Sequence, residues 1–98
     1  MNKETKNNVK IADLLAPGRG NAKKAQELSA LTGMSERTVR EVILKERRAG
    51  APILSDNANG YFLMGDPSET RHFIRSMRHR AGEILKSAAA VERATGLH

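Results

Sequence analysis

Residues 27–44 read ELSALTGMSERTVREVIL, and this stretch decides the predicted fold. It predicts a helix, a tight turn at Gly33 and a second helix, because glycine takes a left-handed turn conformation at little cost. Ser35 is typical of a helix N-cap, since its hydroxyl can accept a hydrogen bond from a backbone amide one turn later. Apolar residues at helical spacing predict that the two helices cross over a small shared core: Leu28, Leu31, Met34, Val39, Val42 and Ile43. This is the helix-turn-helix arrangement, whose second helix usually enters the major groove of DNA.

Three helices in all are predicted around this stretch. Each ends where the sequence carries a residue that breaks or closes a helix, namely Pro17, Gly33 and Gly50. Asn21 is a candidate cap for the second of them, in which Leu31 is expected to face inward. The expected ranges are 7–16, 22–32 and 35–49, after a flexible N-terminus at 1–6.

A hairpin is predicted next, because residues 52–55 and 61–64 favour strands and flank the sequence DNANG at 56–60. The predicted fold class is therefore mainly α with a small β-hairpin. It is a winged helix-turn-helix over residues 7–65, followed by a long C-terminal helix over 66–98.

The C-terminal helix has a well-marked start in Asp66-Pro67-Ser68-Glu69. Asp66 is the expected cap, Pro67 takes the first helical position, and Glu69 is expected to reach back as in a capping box. The helix is expected to run to Arg93 or beyond.

One side of this helix carries small and apolar residues at alternating spacings of four and three, which indicates a weak heptad-like seam. We expect the seam to pair with a second copy and give a homodimer. Alternatively, its first part and Phe73 dock on the winged domain, and the remainder is an exposed basic tail. The residues expected to support self-association are Ile74, Met77, Ala81, Ile84, Ala88 and Val91, between Thr70 and Thr95.

The composition fits one small domain with a polyanionic partner. The chain has 98 residues and a formal net charge of +6, which favours nucleic acid or an anionic membrane surface. No apolar run approaches membrane-spanning length and the N-terminus has no hydrophobic segment typical of a signal peptide, so we expect a cytoplasmic protein, nucleoid-associated if bacterial. The basic C-terminal helix has no aromatic anchor after Phe73, so no membrane contact is expected. Cysteine is absent, which excludes disulfides and thiolate chemistry.

Enzyme chemistry is not expected. His72 and His79 lie two helical turns apart, so about 10.5 Å of rise keeps them from sharing a metal ion. His79 and Glu83 could face one ion, but two ligands rarely suffice. The sequence PGRG at 17–20 lacks the Lys-Ser/Thr that follows in a phosphate-binding loop. We therefore expect no catalytic residue, metal, cofactor or small-molecule effector.

The residues of the central stretch resemble the winged helix-turn-helix of the biotin-operon repressor type, also called helix-turn-helix type 11. The resemblance covers residues 11–63 and implies that the third helix reads DNA while the wing touches the flanking backbone or minor groove. The chain departs from the family at the wing tip, where Asp56 and Asn57 stand in a region that often carries Lys or Arg. The matching segments are ELS at 27–29, LTGMS at 31–35, TV at 38–39, Ile43 and GYFL at 60–63.

The resemblance ends before the C-terminal helix. Nothing beyond residue 64 resembles the biotin-binding catalytic domain of that repressor, so its activity is not expected here. A small winged domain with a helical tail is similar to regulators of phages and mobile elements.

The outward face of the third helix carries the residues predicted to contact DNA. Arg can bond guanine through two hydrogen bonds and Thr can contact a thymine methyl, so Arg37, Thr38 and Arg40 are the candidates for bases. Glu41 is expected to accept from cytosine or to orient an arginine, and Lys45 fits a phosphate. The alternative is a solvated helix face on which Arg37 and Glu41 form a weak ion pair.

Further contacts are expected beside this helix. Lys23, Lys24 and Ser35 lie near predicted helix starts, where phosphate contacts are common, although Ser35 is also the cap. Asn59 is a candidate for the minor groove, although turn chemistry alone explains an asparagine there.

The sequence thus predicts a sequence-specific double-stranded DNA-binding protein acting as a transcriptional regulator. Two alternatives remain open. One is a protein-interaction or assembly module on the same scaffold, and the other is a DNA replication or recombination accessory protein.

Overall fold

The helix-turn-helix forms as the sequence predicts. A computed structural model describes residues 10–97, with α1 at Ala25–Thr32 and α2 at Glu36–Arg48. Gly33 lies between them at φ 77°, and its amide donates to the carbonyl oxygen of Ser29 over 2.9 Å. Ser35 caps α2, because its Oγ accepts from the amide of Thr38 at 3.1 Å. The turn and cap predictions are confirmed.

The predicted first helix, over residues 7–16, is wrong for the part of it that the structure describes, because that part forms no α-helix. Ile11–Leu14 is a single 3-10 turn and not an α-helix. Residues 1–9 and 98 lie outside the described residues, so the predicted flexible N-terminus and the predicted start of the first helix lie outside them as well. Glu46 of α2 fixes this turn, since its carboxylate oxygens accept from the amides of Ile11 and Ala12 at 2.7 and 2.9 Å. The chain is extended at Leu15, and the carbonyl of Ala16 accepts from the amide of Leu63 at 3.0 Å. A second 3-10 turn follows at Arg19–Asn21.

The predicted start of α1 at residue 22, with Asn21 as cap, is also wrong. Lys23 exchanges two backbone hydrogen bonds with Tyr61, of 2.9 and 2.7 Å, which holds the chain extended up to Lys24. The Asn21 side chain donates instead to the carbonyl of Pro17 at 2.8 Å. A long-range strand pairing has therefore displaced a locally plausible helix start.

The hairpin consists of β1, Ile53–Asp56, and β2, Gly60–Leu63, paired antiparallel with Ile53 opposite Leu63. The second edge of β2 pairs with the chain before α1, so β2 has a backbone partner on both of its edges. Gly60 lies at φ 107°, and a Cβ there would meet the carbonyl oxygen of Lys23 at 2.4 Å. Glycine at 60 is required by both backbone conformation and close approach.

The C-terminal helix, α3, runs over Pro67–Thr95, in agreement with the predicted extent. Asp66 caps it, since its Oδ1 accepts from the amide of Ser68 at 3.0 Å. The predicted capping-box role of Glu69 is wrong: Glu69 Oε2 accepts from the amide of Arg19 at 3.2 Å and so ties α3 to the loop before α1.

The hydrophobic core lies within residues 10–66, which we call the winged body. No residue of α3 is buried, whereas the body buries Ile11, Leu15, Ala25, Leu28, Val39, Ile43, Ile53, Leu54 and Phe62. The inward prediction for Leu31 is wrong, because this side chain is 57% exposed. In the short α1 the inner face is shared by Ala25, Leu28, Ser29 and Thr32, and Leu31 points roughly 110° away from its centre at 100° per residue.

The fold is thus mainly helical, with one small antiparallel hairpin and a long C-terminal helix. It is a winged helix-turn-helix extended by α3. Within residues 10–97, no helix is long and apolar enough to cross a membrane.

Candidate functional site

The outer face of α2 presents two arginines to solvent. The side chain of Arg37 is 88% exposed and that of Arg40 is 57% exposed. Each is held by a glutamate one turn away, with 3.6 Å from Arg37 Nε to Glu41 and 3.4 Å from Arg40 Nη2 to Glu36. Exposed pairs of this kind contribute little free energy, so either arginine can exchange its carboxylate for another acceptor at low cost.

Lys45 and Glu41 continue this face along α2. Arg37, Glu41 and Lys45 follow one another at intervals of four residues, and all three are exposed. The structure therefore brings these sequence-predicted residues onto one accessible surface.

Ser35 and Thr38 lie at the start of the same helix but are already engaged. Besides the capping bond, Ser35 Oγ donates to Thr38 Oγ1 at 3.0 Å, and Thr38 is half-buried. Both hydroxyls lie beside the exposed arginines, and their first role is to fix the amino end of α2.

Lys23 and Lys24 have different surroundings. Lys23 is half-buried and its backbone belongs to the strand pairing with Tyr61, while Lys24 is exposed at the position before α1. Lys24 also lines a cleft that Arg40 borders from α2.

This cleft, of about 850 Å³, lies between α2, the hairpin and the first turns of α3. The cations that line it are Lys24, Arg40, Arg47 and Arg80, and the anions are Glu36 and Asp56. Arg80 and Arg40 line the same cleft only because α3 packs there, and no pattern within the sequence of either helix indicates this. Its apolar and uncharged lining includes Ala25, Ile43, Leu44, Tyr61, Phe73, Ser76 and Met77.

The hairpin tip uses its polar side chains on itself. Asp56 accepts from the Asn59 amide at 2.6 Å and from Asn59 Nδ2 at 3.0 Å. Hydrogen bonds from Asn59 are the largest influence lowering the pKa of Asp56, and the nearby charge of Arg19 lowers it further. The Asn59 side chain predicted to contact DNA is thus held by the turn.

Arg19 supplies the wing with a cation that the hairpin sequence lacks. Its Nε lies 2.9 Å from Asp56 Oδ2, although residues 51–66 contain no lysine or arginine. No local sequence signal pointed to this pair, because it depends on the loop before α1 lying beside β2.

Arg47 joins three elements and is not free for a ligand. Its Nε donates to the carbonyl of Ile53 at 2.8 Å, its Nη2 donates to Ser55 Oγ at 3.2 Å, and its guanidinium lies 4.9 Å from the centre of the Phe73 ring. Burial lowers the pKa of Arg47 from its ordinary value. This arginine connects α2, β1 and α3.

The seam residues of α3 divide into two groups. Ile74 and Met77 are 41% and 37% exposed, and Met77 contributes to the cleft. Ile84 and Val91 are 63% and 62% exposed, and Ala81 and Ala88 are exposed as well. The body therefore contacts only the first part of α3. The second of the two hypotheses from the sequence, docking on the winged domain, predicted this for that part of the helix.

No group of three or more metal-ligating side chains occurs in the part of the chain that the structure describes. His72 lines the cleft described above, and His79 does not.

Comparison with known proteins adds no family: no family model, no curated protein and no solved structure matches this chain.

Proposed function

We propose that this protein binds double-stranded DNA sequence-specifically, as a cytoplasmic transcriptional regulator, with α2 in the major groove. The observation that carries the proposal is the accessible face of α2, on which Arg37 and Arg40 are exposed near the helix-turn-helix turn and Lys45 is exposed further along the helix. In proteins of this arrangement, residues near the amino end of the second helix approach the base edges most closely.

The mechanism follows from the ion pairs on this face. Arg37 and Arg40 pair with Glu41 and Glu36 on the surface of α2, so each guanidinium has an exposed carboxylate that it can exchange for a base. Replacing an exposed carboxylate by guanine O6 and N7 costs little and gains a bidentate contact. Lys45, together with Lys24, supplies charge that releases counterions from the phosphates.

The wing contributes less to specificity in this proposal. Asn59 is engaged with Asp56, so the cation at the wing is Arg19, which would reach a phosphate by leaving a partly exposed ion pair.

The test is selection of bound duplexes from a random pool, followed by titration of salt on the selected and a random duplex. Arg40→Ala is expected to lower the affinity for the selected duplex about 10–100-fold and the affinity for the random duplex less, because it removes a base contact. Lys45→Ala is expected to lower the affinity for both duplexes equally. It should also lower by about one the slope of the logarithm of affinity against the logarithm of salt concentration. Arg93→Ala, which removes the same charge near the far end of α3, is the matched control.

Absence of salt-sensitive duplex binding at low ionic strength would reject the proposal. The cleft favours one second candidate, a protein-interaction module, because Leu44, Phe73 and Met77 give it an apolar lining. In that case Leu44→Asp would abolish capture of the partner, while Arg37→Ala would leave it unchanged.

A further inference from the structure

The half of α3 that extends beyond the body, residues 78–95, has an uncovered apolar side. Ile84, Leu85 and Val91 are 63%, 69% and 62% exposed, a large apolar display for a single helix. We propose that a second copy of this chain covers this side in an antiparallel helix pair centred on Lys86. The proposal concerns self-association alone and holds whether or not DNA is the ligand.

The sizes of the seam residues favour the antiparallel orientation. Centring the pair on Lys86 sets Ile84 beside the partner's Ala88 and Val91 beside the partner's Ala81. Every such layer then contains one large and one small side chain, so two straight helices can pack at even spacing.

A parallel pair in register would give the opposite result. Ala81 and Ala88 would each meet their own copies in thin layers, and Ile84 and Val91 would meet theirs in thick ones. Alternating thick and thin layers leave voids beside the alanines, and such voids reduce the packing energy.

Charge favours the same orientation and fixes the register. Arg78 and Glu92 flank the seam on one side, with Leu85 midway between them. In the antiparallel pair centred on Lys86, Arg78 lies beside the partner's Glu92, Leu85 lies beside the partner's Leu85, and the second ion pair follows by symmetry. A register displaced by one heptad would instead set Arg78 beside the partner's Leu85.

The position of the body also suits this register. Phe73 lies under the guanidinium of Arg47, and Met77 and Arg80 line the cleft, so the body contacts the first turns of α3 and leaves the seam beyond Met77 exposed. Met77 would lie beside the partner's Thr95, where α3 ends. The full length of the extended half is therefore used, and the two winged bodies lie at opposite ends of the pair.

The test uses the full-length chain, which contains no cysteine, with single nitroxide labels at His79→Cys, Lys86→Cys or Arg93→Cys. These exposed positions are seven residues apart and lie on the side of α3 opposite the seam, so their lateral separations in a pair are similar. Distances between labels are measured by double electron–electron resonance, without DNA.

The antiparallel pair predicts the shortest distance for the label at 86. Labels at 79 and 93 should give longer and similar distances, because each adds an axial offset of about 21 Å at 1.5 Å per residue. Similar distances at all three positions would show a parallel pair and overturn the proposal. Equal distances at 79 and 86 with a longer one at 93 would overturn the register.

Absence of any dipolar signal at high micromolar concentration would show that a second copy does not cover this side. Ile84→Asp, added to the chain labelled at 86, is expected to abolish the signal, because it places a charge in the central layers. Glu83→Asp, a change outside the seam on the same turn, is the matched control and should leave the distance unchanged.

Discussion

The winged body and the extended half of α3 are stabilised in different ways. All buried apolar residues of the described chain lie in the body, where Ile11, Ile43 and Phe62 meet from distant parts of the sequence. The extended half has no buried residue, and Leu85 is 69% exposed. The body is thus held by apolar burial, whereas the extended half relies on its own helical hydrogen bonds and on any partner. The same apolar residue types therefore support folding in one region and remain available for association in the other.

The largest expected difference between the two regions is the loss in the free energy of unfolding when one large side chain in each is truncated. Phe62 is 1% exposed, so Phe62→Ala is expected to lower the free energy of unfolding by about 3–5 kcal/mol. Leu85→Ala should change it by less than about 0.5 kcal/mol when the chain is too dilute to self-associate. Urea denaturation followed by circular dichroism measures both. Similar losses for the two variants would mean that the extended half belongs to the folded core.

The junction between wing and body gives the next largest effect. Gly60→Ala is expected to cost about 3 kcal/mol, because the added Cβ meets the Lys23 carbonyl and φ is 107°. Gly33→Ala is the matched control. It also has a positive φ, of 77°, but no atom lies within 4 Å of the added Cβ, so about 1–2 kcal/mol is expected. Equal losses in thermal unfolding would show that the strand pairing of Lys23 with Tyr61 does not contribute.

Replacing one glutamate in each region compares the contributions of their polar contacts to the free energy of unfolding. Glu46→Ala should lower the free energy of unfolding by about 2 kcal/mol, because two amides near the start of the body lose a charged acceptor. Glu83→Ala removes only an exposed pair, 3.3 Å from Lys86, and should cost less than about 0.5 kcal/mol. Hydrogen exchange of Ile11 and Ala12 locates the effect. Unchanged protection of these two amides in Glu46→Ala would contradict the anchoring role.

The local features of the fold could be predicted from the sequence, and its long-range features could not. Gly33 and Ser35 act on neighbours within one turn, so the helix-turn-helix follows from residue type and spacing. The observed start of α1 differs from the predicted one because Lys23 pairs with Tyr61. The side chain of Glu69 does not form the predicted capping box because it accepts from the amide of Arg19. Both need the chain to fold back on itself.

The candidate site divides in the same way. The outward face of α2 follows from helical periodicity, because removing the buried positions leaves Arg37, Arg40 and Lys45 on the surface. The positions of Arg19 and Arg80 depend on long-range packing, since Arg19 reaches the wing from a loop and Arg80 reaches the cleft from α3. Contacts between elements, rather than patterns within them, determine which cations share a surface.

The smallest expected effect concerns acid, and it also belongs to the body. Hydrogen bonds from Asn59 and the charge of Arg19 lower the pKa of Asp56 in the folded chain. A carboxyl whose pKa is lower when folded stabilises the fold above its unfolded pKa of about 3.9, and this contribution is lost as the pH falls through the folded pKa. The free energy of unfolding of the unmodified chain should therefore exceed that of Asp56→Asn at pH 7, by less than about 1 kcal/mol because the pair is partly exposed. Urea titrations between pH 7 and pH 2 should show this difference shrinking below about pH 4. A difference that stays constant to pH 2 would mean that the amide hydrogen bonds, and not the charge of Asp56, hold the wing tip.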